Sequence, residues 1–333
     1  MAQQECIIKT NGLTKRYGEK TAVDHLDLTV YKGEIFGLLG PNGAGKTTTT
    51  LMLTGLTEPT EGTAFIGGID CIRNPMEVKK SVGYMPDNVG FYADMTGKEN
   101  LRFTAALNGL DREAAESRIE ELLERVGLSA AANQRVGTYS RGMRQRLGVA
   151  DVLVKDPSVI IMDEPTLGID PEGMRYLILL IHDLAKKEGR TILISSHQLY
   201  QIQQICDRVG LFVAGKLTAC GTIEELAEQT REDDRFVTEI RIAGGDDGLV
   251  QILRGVDGVL SVGREDSRYI IGSERDITDA LVDAVRENGY SIVSLRPLGN
   301  DLDEIYRRYF EKSGGEKDED RSGKFKTIFR KNR

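Results

Sequence analysis

Cysteine is scarce in this 333-residue chain, and the four present, Cys6, Cys71, Cys206 and Cys220, are scattered without C-x-x-C spacing. That pattern suggests neither a disulfide framework nor a zinc site, and the four read as core or surface thiols. Long apolar runs are missing as well. The longest, at 177–181, falls far below the roughly 20 residues that span a bilayer, and residues 1–10 lack the basic-then-apolar layout of a secretory signal. A cytoplasmic chain is expected. Basic residues are not in excess either: 44 Lys and Arg stand against 52 Asp and Glu, a net charge of −8. The chain therefore offers no global attraction to nucleic acid or to an anionic lipid surface, and any membrane contact has to be local.

What is present is ordinary for a soluble globular protein: 40% hydrophobic and 29% charged residues, over a length that suits about two domains. Short apolar strands are expected at 35–39, 159–162, 191–195 and 209–213, alternating with helical patterns, which is how an α/β domain reads. Between about 87 and 156 the pattern turns helical, with apolar residues at three-to-four spacing over 98–107 and 112–126. A helical subdomain inserted into the α/β core is expected there. The charged stretch 228–235 reads as a linker. Beyond it the order is strand 236–242, helix 248–253, strands 259–263 and 268–272, helix 277–288 and strand 291–295. This β-α-β-β-α-β order is a split βαβ unit of the α+β ferredoxin-like type. A last helix over 302–312 puts Leu302, Ile305, Tyr306 and Tyr309 on one face, and residues 313–333 read as a disordered basic tail.

The segment Gly40-Pro41-Asn42-Gly43-Ala44-Gly45-Lys46-Thr47 fits G-x-x-x-x-G-K-[ST] and follows the 35–39 strand directly. Strand, glycine loop and helix is the context this motif requires. Its glycines let backbone N–H groups converge on phosphate oxygens, Lys46 reaches the outer phosphates and Thr47 is a Mg²⁺ ligand. Thr48 to Thr50 continue the helix with β-branched residues, poor helix formers at the place where local conflict marks function. A second constellation ends the 159–162 strand. Asp163 and Glu164 stand at the C-terminal edge of a parallel sheet, where open α/β sheets bind ligands, with Asp163 serving Mg²⁺ through water and Glu164 polarising the attacking water.

About twenty residues earlier, Tyr139-Ser140-Arg141-Gly142-Met143-Arg144-Gln145 opens a helix with a Ser-x-Gly cap. With this motif the sequence resembles the ABC ATPase family, and its ABC-2 exporter branch in particular. The resemblance covers about residues 7–226. It implies a P-loop NTPase core with the inserted helical subdomain at 87–156 in a domain of residues 1–228, followed by an accessory domain at 236–312 for dimerisation or regulation. It also implies ATP and Mg²⁺ as ligands, a homodimer around two ATP molecules, and a permease on a separate chain, with this chain peripheral on the cytoplasmic face of the membrane. Nucleic acid is not among the expected partners. In that family Ser140 and Gly142 contact the γ-phosphate held by the partner's Gly40, Asn42, Gly43, Gly45, Lys46, Thr47 and Thr48 segment. Tyr17 matches the aromatic that stacks on adenine, Asp170 the loop after the acidic pair, and His197 the histidine that bonds the γ-phosphate. His25 and His182 match nothing.

Two positions depart from the pattern. Arg141 stands where the commonest signature has glycine, as in the Ser-Lys-Gly or Ser-Arg-Gly forms of the exporter branch. Asp87, counted with Glu164 and His197 in the catalytic group, stands where the family has glutamine or glutamate. It is one methylene shorter and donates no hydrogen bond when ionised, so its neighbour Asn88 is a candidate substitute. Two further readings stay open: a soluble ABC ATPase acting on nucleic acid or the ribosome, and a degenerate module that binds ATP only as a clamp. The basic tail over 321–333 is either a contact with the inner leaflet or permease, or a solvated end.

Overall fold

The computed structural model describes residues 5–230 and 236–298, and beyond them residues 302, 303, 305, 306 and 309. It divides into two compact units, residues 1–222 and residues 223–333. The first is built on a six-stranded sheet whose order runs Lys216–Gly221, Arg208–Val213, Ile35–Leu39, Thr191–Ser196, Val159–Asp163, Val82–Met85. All neighbours are parallel except the edge pair of Arg208–Val213 with Lys216–Gly221. Its central strands are buried along their whole length, which is why they read as uninterrupted apolar runs and not as alternation.

Register decides where the chemistry falls. Leu39 pairs with Ser196, Asp163 with Ser195 and Met85 with Met162. The glycine loop, the acidic pair, His197 and the segment carrying Asp87 therefore leave the sheet at one common edge. A five-stranded sheet of Cys6–Tyr17, Lys20–Leu26, Thr29–Tyr31, Glu61–Ile66 and Ile69–Asp70 accompanies it, its pairs antiparallel. Ile8, Leu13 and Val23 from this sheet, with Leu28 just before the strand Thr29–Tyr31, join Phe36, Leu38, Ile161 and Phe212 from the other in one buried core. At the hairpin between the first two strands Tyr17 faces Lys20 directly.

The inserted region is helical where expected, with Gly97–Leu107, Arg112–Arg125 and Arg141–Leu153 as its main helices. Thr96 and Glu99 form a reciprocal capping box, and Asp111 accepts from the N–H groups of Glu113 and Ala114, so both starts are written in side chains.

In the second unit a four-stranded antiparallel sheet runs Val259–Glu265, Arg268–Ser273, Phe236–Ala243, Ser291–Leu298, with the helices Asp247–Arg254 and Thr278–Glu287 between strands in β-α-β-β-α-β order. Its core joins Ile240, Ile242, Tyr269 and Ile271 to Leu249, Leu253, Leu281 and Val285. The last strand runs three residues past the expected 295, through Pro297. An edge strand tolerates the missing N–H that a central one would not. Residues 228–230 of the expected linker close the helix Ile223–Thr230, while 231–235 lie outside the described residues. Of the expected helix at 302–312, the five described residues are helical and Leu302 and Ile305 are fully buried; the remainder and the 313–333 tail lie outside the described residues. Among the described residues no helix is long and apolar enough to cross a membrane.

Candidate functional site

The glycine loop closes onto the helix Lys46–Leu53, with Gly45 as its N-cap at φ 109°. A β-carbon on Gly45 would come 2.4 Å from the Ala22 carbonyl oxygen, and one on Gly40 would come 2.5 Å from that of Phe212, so backbone on both sides enforces glycine. Lys46 is buried, and its Nζ donates to the carbonyls of Gly40 at 2.7 Å and Pro41 at 3.2 Å. Burial pushes the Lys46 pKa below its ordinary value, opposed by the carboxylates of Glu164 and Asp163. The ammonium is thus parked on the loop's own carbonyls, at the rim of the cleft. Two of the three threonines that looked unsuited to a helix, and Thr54 at its end, are satisfied by carbonyls of the helix and its cap. Thr49 donates to Gly45 O, Thr50 to Thr47 O and Thr54 to Thr50 O, each within 3.0 Å, so the buried hydroxyls find helix carbonyls.

The two acids are held differently. Asp163 ends its strand nearly inaccessible, accepting a hydrogen bond from Ser195 Oγ on the neighbouring strand. Glu164 takes the left-handed conformation at φ 48°, rare for a side chain of its size, and turns off the sheet. Its N–H donates to Ser195 O at 2.9 Å, its Oε2 accepts from Ser196 Oγ at 3.2 Å, and its Oε1 lies 2.8 Å from His197 Nδ1 and 3.8 Å from Lys46 Nζ. That contact calls for the imidazole proton on Nδ1. Beside them, burial and the Asp163 charge push the phenol of Tyr84 up to about 12.

Lys46, both acids and His197 line a cleft of about 550 Å³. Tyr17, Asn42, Gly43, Gly45, Lys46, Thr47, Thr48, Asp87, Asp163, Glu164 and His197 share it with Lys20, Ala22 and Leu167, which sequence reasoning did not single out. Tyr17 is half exposed at one end, with Lys15 Nζ 5.0 Å from its ring centroid. The cleft thus brings together an aromatic face, a cationic glycine cradle and paired acids, the groups that the base, phosphates and attacking water of a nucleoside triphosphate call for.

The family model described as ABC transporter matches residues 23–167. The bacitracin transport ATP-binding protein BcrA of Bacillus licheniformis is 45% identical over 226 residues, 68% of this chain and 73% of that protein. The chain belongs to the ABC transporter ATP-binding proteins. The linearmycin resistance ATP-binding protein LnrL of Bacillus subtilis is 30% identical over 305 residues, covering 90% of this chain and 97% of that one. The ATP-binding protein NatA of Bacillus subtilis is 39% identical over 233 residues, 68% of this chain and 94% of its own. A solved ATP-binding subunit of an ABC transporter superposes with a TM-score of 0.62 at 29% identity, covering 67% of this chain and 92% of the other. The chain is accordingly an ATPase, the nucleotide-binding subunit of a transporter. These relatives do not favour the reading of a soluble ATPase acting on nucleic acid or the ribosome.

For an ABC ATP-binding protein, where the remaining expected residues sit is informative. Gly40 meets Lys46 through its carbonyl but does not line the cleft, and neither do Ser140, Gly142 and Asp170. Ser140 caps the helix Arg141–Leu153, its Oγ accepting from Met143 N at 3.2 Å. Asp170 caps Pro171–Lys186 by position, without a side-chain hydrogen bond. Sequence reasoning also passed over Gln145. This buried side chain donates to the backbone carbonyl of Asp87 at 3.4 Å, and its Oε1 has no hydrogen-bond partner. The helix behind Ser140 thereby touches the segment that brings Asp87 to the cleft. A polar residue on the core-facing side of that helix was the available signal.

Proposed function

We propose that two copies of this chain close around two ATP molecules and drive a separate permease of the ABC-2 type, with export as the direction and the cytoplasmic membrane face as the location. The observation that carries this reading is the division of the site within one chain. The cleft holds Tyr17, the glycine loop, both acids and His197, whereas the capped signature helix at Ser140 and Gly142 stands outside it, available to a second copy. The relatives named for bacitracin transport and linearmycin resistance support the export direction.

In this reading Tyr17 stacks on adenine and the N–H groups of 40–48 receive the phosphates. Lys46 exchanges its loop carbonyls for phosphate oxygens, so little reorganisation is needed. Thr47 and Asp163 both bring oxygen donors to the cleft, the donor type that suits Mg²⁺, which takes few protein groups beside those of the nucleotide. Thr47 and Asp163 would hold it, and its charge would offset that of the phosphates. Glu164, held by Ser196 and His197, orients and polarises the attacking water. His197 reaches the γ-phosphate, and Asp87 lines the same cleft.

The test is Glu164→Gln in the full chain. It should bind ATP, lose turnover and double in mass by light scattering when ATP is added. Retained turnover would remove Glu164 from its role, and co-purification of a membrane protein with the unmodified chain tests the permease.

A further inference from the structure

Arg141 occupies the place of a signature glycine, and the side chain so added reaches a particular neighbour. A β-carbon built on Gly168 would come 2.8 Å from Cδ, Nε and Nη1 of Arg141, so stem and guanidinium both lie across that glycine. Gly168 holds φ 71°, a conformation side chains rarely adopt. The next residue of the helix repeats the contact: a β-carbon on Gly142 would stand 3.5 Å from Asp170 Oδ1 and from Ile169 Cγ2. The first turn of Arg141–Leu153 therefore meets the 167–170 loop at successive residues.

The far end of that loop is anchored to the helix Pro171–Lys186, by Met174 N donating to Asp170 O at 2.9 Å and by buried Ile169 lying against Gly173, so it is the exposed turn at Gly168 that Arg141 spans. The loop's own bonds are two short turns, Leu167 N to Glu164 O at 3.2 Å and Ile169 N to Thr166 O at 3.4 Å. Asp170 adds no side-chain cap to the following helix. Yet the loop starts at Glu164 and carries Leu167 into the cleft, so its lateral position bears on the water-polarising carboxylate. Small misplacements of such groups are costly, up to about a hundredfold in rate for 1 Å.

We propose that Arg141 is a positioning residue that clamps the 167–170 loop to the signature helix, so that the half-site offered to the partner's nucleotide and the loop behind this chain's own Glu164 move as one body. The inference rests on the two-copy reading above. It gives the departure at 141 a mechanical purpose: an event at the nucleotide gripped by Ser140 and Gly142 reaches the other nucleotide through the Arg141 side chain. Because Arg141 is exposed, its replacement opens no cavity.

The experiment uses the full chain with ATP and Mg²⁺. Arg141→Ala should lower kcat about tenfold with KM for ATP within about twofold, the split expected when only transition-state positioning is lost. Arg141→Lys, which keeps an aliphatic stem across Gly168, should recover most of the rate. In a Glu164→Gln background, Arg141→Ala should still dimerise with ATP, since Ser140 and Gly142 are intact, whereas Ser140→Ala should not. An unchanged kcat, a loss that lysine fails to relieve, or loss of the dimer in Arg141→Ala overturns the clamp. A dimer that survives Ser140→Ala overturns the two-copy reading instead.

Discussion

Replacing Ser195 with alanine tests how the sheet edge holds its acid. Ser195 and Asp163 are paired across neighbouring strands, both essentially inaccessible, and the serine hydroxyl donates to the carboxylate. A hydrogen bond to a charged group contributes about 1.5–3 kcal/mol, and a buried carboxylate left without its donor keeps the desolvation cost with nothing to offset it. Ser195→Ala should therefore destabilise the nucleotide-free chain by about 2 kcal/mol. For a unit of this size that is about 4–8 °C in Tm. Thermal unfolding followed by circular dichroism, in the presence of a chelator, reads the shift. The same substitution in an Asp163→Asn background should cost less, because a neutral amide demands less of its donor. An unchanged Tm, or an equal cost in both backgrounds, would refute the idea that Ser195 acts by holding the Asp163 carboxylate.

Lys46→Ala should weaken ATP binding by at least an order of magnitude, since the cation is buried and already parked at the cradle; unchanged affinity by titration calorimetry would contradict this. Gly83→Ala should destabilise by about 1–3 kcal/mol, because its β-carbon would come 2.4 Å from Val152 Cγ1, and chemical denaturation measures the loss. Glu116, paired with Arg102 and flanked by Lys98, is held down to about 2. A folded-state value below the ordinary one means that its contribution is present above about pH 4.5 and fades as pH falls toward 2. Carboxyl NMR should show Glu116 titrating near 2 and returning toward the ordinary range in Arg102→Ala.

Four of the five parallel strands were legible because burial on both faces leaves an uninterrupted apolar signal; Val82–Met85, with Gly83 and half-buried Tyr84 inside it, was not. Helix starts such as Thr96 and Asp111 carry their caps in the sequence. The sheet built on Cys6–Tyr17 was not legible. Its pairing shifts register between Asn11 and Thr14, next to Gly12 at φ 54°, so the two-residue alternation that announces a strand is broken midway. At the site, the glycine loop, Lys46 and the acids could be read from their own spacing, whereas His197 could be read only through the resemblance to the ABC ATPases. Ser195, Ser196, Gln145 and Leu167 could not, because each acts through the register or packing of a neighbour, which no local spacing encodes. The threonines after Lys46 were visible as a conflict, but its resolution through helix carbonyls needed the structure.

Mixing two inactive variants tests the shared site most directly. Lys46→Ala spoils the cleft and Ser140→Ala the complementary half, so each variant alone has no intact site. A mixed pair has one, made of the cleft from one chain and the signature serine from the other. With random pairing in an equimolar mixture, about one quarter of wild-type ATP turnover should return, since about half the dimers are mixed and each has one of two sites. A mixture no more active than its components would contradict a nucleotide held between two copies.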